Sequence, residues 1–360
     1  MTPSPKLFIP GPIQVSEKTW QAFRRPMMGH RSKSFQELYA RVQPGLQALF
    51  QTTEPVYMAT GSAWSVMEAS LRNLTQKKVL NCMSGAFSDK WYSVANKCGK
   101  HAEAYQVEWG QPILPEVIDQ HLSTGEFDTL TLIHNETSTG TRNPLPDIAA
   151  VMKRHPEVFF TVDTVSSLST ESIGFDSLGI DVMLAGVQKA LALPPGAAVF
   201  AVSERARRRC LELNDRGYYL DFDEFHKNHE THMTPTTPSI SHYYALESKL
   251  EDIAAEGYEA RFARHLENAC ITRQWALDEG FELFPQSGYE SISLTCIRNT
   301  RAVDIPALNK WLQKEHGCII DGGYGKIKGT TFRISHMGDE STETIRELLG
   351  WLSDGIRAIS

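Results

Sequence analysis

The chain has 360 residues, of which 41% are hydrophobic and 22% charged, with a formal net charge of −7. Single cores stop growing near roughly 250–300 residues, so this length predicts one large unit and one smaller one. The acidic balance argues against nucleic acid as a partner, and no apolar run approaches the roughly 20 residues needed to cross a bilayer.

The opening stretch MTPSPKLFIPGP lacks a basic segment followed by an apolar one, which predicts a cytosolic protein. Cys82, Cys98, Cys210, Cys270, Cys296 and Cys318 form neither a CxxC pair nor a cluster with histidine at metal-ligand spacing. Reduced structural thiols are expected, with no metal site.

Between residues 54 and 203, short apolar or β-branched runs (55–60, 78–83, 102–107, 129–135, 158–163, 181–186 and 196–202) alternate with helical segments. This alternation predicts an α/β fold with a mainly parallel, seven-stranded sheet covered on both faces. In one intervening segment Ala63, Met67, Ser70, Leu71 and Leu74 recur at helical spacing, and in another, PLPDIAAVMKRH, a proline opens the helix. After residue 245 the pattern changes to one long charged helical stretch, followed by SISLTCI, IPALNKWLQKEHG, GCIIDGG and TFRIS. The expected organisation is an N-terminal segment (1–20), a large domain (21–245) and a small α+β domain (246–360) that begins with a long linking helix.

Lys189 follows an apolar strand, and strand ends of open α/β sheets are where ligands bind. Partial burial there would lower its pKa and make a nucleophilic amine; alternatively it is a lysine snorkelling at a sheet edge. Asp163 ends another apolar run, where a carboxylate either caps the next turn or meets a buried cation. If Lys189 holds a pyridoxal aldehyde, a carboxylate facing the ring nitrogen keeps that ring protonated, so the two residues explain each other. The Thr60-Gly61-Ser62 turn before a helix presents free amides to a phosphate, or is an ordinary N-cap. No GxxxxGK[ST] or GxGxxG stands in the right context for ATP or a dinucleotide.

The motifs PGP, TGSA, HNETSTG, VDTVSSL, VQKALALPPG and FRIS, in that order, resemble class V, fold type I pyridoxal 5′-phosphate aminotransferases, and within them the alanine–glyoxylate and serine–pyruvate branch. The resemblance implies that Lys189 bonds the cofactor's aldehyde and then shuttles the substrate proton. It implies that Asp163 pairs with the ring nitrogen, that Val165 packs on one ring face, and that Phe87, in SGAFSDKW, stacks on the other or serves as core filler. Ser62, Ala63 and Gln188 fall at phosphate-binding positions, and Thr137 at the contact to the ring hydroxyl. Thr234 aligns with a residue that reaches the phosphate across a homodimer interface, whereas Thr231 stands where relatives carry tyrosine.

Arg333 resembles the arginine that clamps the substrate α-carboxylate, the alternative being a surface arginine on a strand; Gly11 should lie close to the substrate. The stretch MMGHRSKSF is similar to the HRSK segment of phosphoserine aminotransferases, which makes His30 and Arg31 candidates for a distal anion or simply a helix start. The implied activity is ping-pong transfer of an amino group from a serine- or alanine-type donor to a 2-oxo acid such as glyoxylate or pyruvate. Phosphoserine is an alternative substrate. A cysteine desulfurase would need an accessible loop thiol, and Cys318 is expected in a strand instead. A binding or interaction subunit would need none of Lys189, Asp163 and Arg333.

Overall fold

The computed structural model describes residues 5–359. Seven strands build the central sheet: β1 (Val56–Thr60), β2 (Val79–Met83), β3 (Ala102–Gln106), β4 (Thr129–Ile133), β5 (Phe159–Asp163), β6 (Val182–Gly186) and β7 (Ala197–Val202). Their order across the sheet is β1-β7-β6-β5-β4-β2-β3. Strand β7 runs antiparallel to both neighbours, and the other adjacent pairs are parallel.

Every residue of β2, β4, β6 and β7 is buried, because helices cover both faces and leave no solvated side. The pleat divides them: Phe160, Val162, Met183 and Ala185 join the cluster under helix Lys33–Phe50. Val182, Leu184, Ala198 and Phe200 face the opposite layer, where helix α1 (Ala63–Leu74) and helix α2 (Ala86–Lys97) pack.

The expected single long helix is two. Helix α3 (Ile240–Glu256) begins before residue 246, and α4 (Tyr258–Asp278) follows Gly257, whose φ of +86° interrupts the helical path. Apolar periodicity continues on both sides of this glycine, which hides the break in the sequence. Helix α3 packs against helices Glu17–Phe23 and Lys33–Phe50.

Strands β8 (Leu294–Arg298), β9 (Cys318–Ile320) and β10 (Thr331–Ser335) lie in the C-terminal part, with β8 and β10 antiparallel. Helices Ile305–His316 and Thr342–Ile359 enclose a separate apolar cluster there, which Phe8 also enters. The short strand Lys6–Phe8 pairs in parallel with β9. Beyond it, the Ile13 amide donates to the Gln188 carbonyl at 3.2 Å, so the N-terminal segment passes directly over the loop that carries Lys189. Among the described residues no helix is long and apolar enough to cross a membrane.

Candidate active site

Strands β1, β2, β4, β5 and β6 point the same way, and their carboxyl ends meet at one edge of the sheet, where open α/β sheets bind ligands. Ser62 and Ala63 follow β1, Phe87 follows β2, Thr137 follows β4, Asp163 closes β5, and Gln188 and Lys189 follow β6. All of them, with Val165, line one cavity that opens to solvent. Trp64, Met67, Ile133, Asn135 and Ser166 also line it and were not singled out from the sequence. Asn135 and Ser166 lie inside the HNETSTG and VDTVSSL motifs, so their motifs carried a signal. Trp64 and Met67 read as one apolar helix face, which is how core residues also read.

Lys189 is half-buried, its amine turned into the cavity rather than snorkelling to solvent. Its Nζ donates to the Pro10 carbonyl and sits 5.8 Å from the centre of the Phe87 ring. Burial pushes the amine down to about 8, and the Arg333 guanidinium adds to this, while Asp163, Glu136 and Asp321 oppose it. A Cβ at Gly11 would lie 2.5 Å from Lys189 Cδ, so only glycine lets the N-terminal segment approach so closely. Gly11 thus lies beside the reactive amine.

Asp163 is buried on a strand end, and its Oδ1 accepts the Val165 amide at 2.6 Å. That turn fixes the carboxylate and, in the same contact, sets Val165 in the cavity wall. Burial pushes the Asp163 carboxyl up to about 7; the Val165 amide and Lys189 lower it, and buried Glu136 raises it. A carboxylate held here without a full counter-charge is costly, and a cationic ring nitrogen would supply that charge.

At the other end of the cavity Ser62 occupies the N-cap of α1, yet its side chain makes no capping hydrogen bond. The hydroxyl and the Ala63 and Trp64 amides are therefore available to an anion, while the Ser65 amide bonds the Ser62 carbonyl. Gly186 serves the same end: a Cβ there would meet Gln188 Oε1 at 2.6 Å, so glycine lets that side chain fold back over the strand end. Asn135 Oδ1 is buried in the cavity wall without a hydrogen-bond partner among the described residues, an acceptor awaiting a donor from a bound group. Phe87 is half-buried and its ring stacks on Tyr324 at 5.2 Å, so an aromatic surface is held rigid at the mouth.

Arg333 is no surface arginine. Its side chain is 4% exposed and its guanidinium bonds Asp321 through Nε at 2.8 Å and the Thr137 carbonyl through one terminal nitrogen at 2.7 Å. Thr137 lines the cavity, so Arg333 stands directly behind its wall. Asp321 and Tyr324 belong to the CIIDGGYG stretch, which had been read only for its thiol and its glycine pattern.

Three expected site residues lie elsewhere in the chain. His30 and Arg31 precede helix Lys33–Phe50, whose N-cap is Ser32, and neither lines the cavity. Thr234 borders a separate small pocket with Thr60 and Tyr219, its hydroxyl donating to the Thr236 carbonyl at 2.8 Å. Cys318 is buried in β9, and burial pushes its thiol up to about 11, so no thiolate is offered at neutral pH. Among the described residues no group of three or more His, Cys, Asp or Glu side chains could hold a metal ion.

The sequence matches the family described as aminotransferase class V over residues 16–323. An uncharacterised aminotransferase of Methanocaldococcus jannaschii is 34% identical over 337 residues, covering 92% of this chain and 87% of its own. An L-aspartate–glyoxylate aminotransferase of Paracoccus denitrificans is 27% identical and covers 94% of this chain and 87% of its own. Among solved structures, an alanine–glyoxylate aminotransferase from a Nostoc species superposes with a TM-score of 0.92 at 29% identity, covering 99% of this chain and 96% of that one. Pyridoxal phosphate, on which the family depends, fits the residues present: an amine beside Gly11, an uncompensated buried carboxylate, an uncapped serine at a helix start and an unpartnered amide oxygen. The chain belongs to the class V aminotransferases, transaminases built on the pyridoxal-phosphate fold type I.

Proposed function

We propose that this transaminase moves the amino group of a small amino acid, of the serine or alanine type, to a 2-oxo acid such as glyoxylate or pyruvate by a ping-pong route. The observation that carries the reading is the meeting of Lys189 and Asp163 in one cavity with Arg333 bonded to the Thr137 carbonyl directly behind its wall, three groups with three separable tasks. The two named relatives share glyoxylate in their names, which supports that acceptor.

Bound pyridoxal phosphate supplies a conjugated ring that draws electrons from the substrate's Cα. Lys189 holds it through Nζ and, once freed, takes the Cα proton there; an amine near 8 is partly unprotonated at neutral pH and so suited to accept it. Asp163 keeps the ring nitrogen protonated, which maintains the electron pull. Val165 and Phe87, both in the cavity wall, would hold the ring between them. Ser62, Ala63 and Gln188 hold the phosphate, and Thr137 meets the ring hydroxyl. Arg333 takes the α-carboxylate in a charge-assisted contact and orients Cα toward Lys189. Thr234 lies outside this chain's cavity, and we propose that it serves a partner's phosphate in a cytosolic homodimer.

The test is the visible spectrum of the purified, cofactor-loaded protein. Addition of alanine or serine should convert the band of the lysine-bound cofactor to that of its amino form, and glyoxylate should reverse it. A protein that cannot be loaded, or whose spectrum ignores every amino donor, would remove the reading.

A further inference from the structure

Asp321 follows β9 directly and forms an isolated antiparallel bridge with Arg333 on β10. Their backbones exchange two hydrogen bonds, Arg333 N–H to the Asp321 carbonyl at 2.8 Å and the reverse at 3.2 Å. The side chains meet as well: Asp321 Oδ1 accepts Arg333 Nε and the Gly323 amide, each at 2.8 Å, and lies 2.8 Å from one terminal guanidinium nitrogen as an ion pair. A guanidinium carries five N–H groups in a fixed fork. Asp321 occupies the side edge of that fork, and the Thr137 carbonyl takes a third N–H at 2.7 Å. What remains is the end of the fork, enough for one carboxylate.

Charge leads to the same limit. Arg333 and Asp321 together are close to neutral, and among the described residues Lys189, which the cofactor would engage, is the only cation lining the cavity. Buried Asp163 and Glu136 add negative charge in reach of that amine. A single α-carboxylate can be matched at Arg333. A second carboxylate on a substrate held at Arg333 would lie near Asp321, and among the described residues no cation but Lys189 lines the adjoining cavity to offset it.

We propose that Asp321 determines donor specificity: by sharing Arg333 it restricts the site to amino acids with one carboxylate and disfavours aspartate and glutamate. This rests on the reading that Arg333 holds the α-carboxylate. Asp321 acts through Arg333 and is a positioning residue, not a catalytic one.

The experiment compares kcat/KM for alanine and for aspartate in the loaded full-length enzyme, the Asp321→Asn variant and the Arg333→Lys variant. Asparagine keeps the oxygen that accepts from Arg333 and Gly323 and removes only the charge. The wild type should prefer alanine, and Asp321→Asn should lower the alanine-to-aspartate ratio by about tenfold or more, chiefly through the KM for aspartate. An unchanged ratio, or a wild type that prefers aspartate, overturns the proposal. If Arg333→Lys leaves the KM for alanine unmoved, the carboxylate anchor itself is wrong, which is a different failure. Should Asp321→Asn not fold, inhibition of the wild type decides: propionate should compete with alanine about tenfold more tightly than succinate, and equal inhibition overturns the idea.

Discussion

Lys189 carries the chemistry only while its amine is unprotonated. With its pKa held near 8 by burial and Arg333, the protein freed of cofactor should recapture pyridoxal phosphate at a rate that rises with pH and levels off above about 8. Stopped-flow absorbance against pH checks this; a rate still climbing steeply toward pH 10 would mean an amine of ordinary basicity. At this scale the sequence was informative where a residue type is rare in its setting, such as a lysine or aspartate ending an apolar run. It was uninformative for Asp321, because an aspartate beside two glycines reads as a turn. Its pairing with Arg333 comes from an isolated antiparallel bridge just beyond β9, which no local pattern shows. Asn135 and Ser166 were hidden in another way, inside motifs already assigned to their neighbours.

At the scale of elements, the seven strands were legible because each is a short apolar run bounded by turn residues. The linking helix was misread because Gly257 interrupts it without disturbing the periodicity on either side. A Cβ at Gly257 would touch nothing within 4 Å, so a substitution there tests backbone conformation alone. Gly257→Ala should destabilise the protein by about 1–2 kcal/mol, since alanine at φ +86° is strained and the gain from a stiffer unfolded chain only partly offsets it. The expected reading is a lower denaturant midpoint with an unchanged visible spectrum. An unaltered midpoint would mean that the two helices merge at little cost.

For the whole molecule, the two buried charges of the cofactor-free site work against folding over a definite pH window. Asp163 is raised to about 7, so the stability it contributes is complete below its ordinary carboxylate range and is lost as pH rises through 7. Lys189 is depressed to about 8, so its contribution is complete above the ordinary lysine range and is lost as pH falls through 8. Between these values both groups are charged and buried, and a bound cofactor compensates both. The rise in melting temperature on loading, at fixed cofactor concentration, should therefore be largest near pH 7–8 and smaller on either side. A rise independent of pH from 6 to 9 would contradict the account.

The pairing of Lys6–Phe8 with β9 joins residues near the start of the chain to residues made late. On the ribosome the sheet that presents Lys189 can form long before β9 exists, and until then the N-terminal segment lacks its strand partner and is held over the amine only by contacts such as Ile13 to Gln188 and Lys189 to Pro10. The reactive lysine is thus made early and enclosed last, and the order of synthesis leaves the site open to the cofactor through most of the protein's assembly.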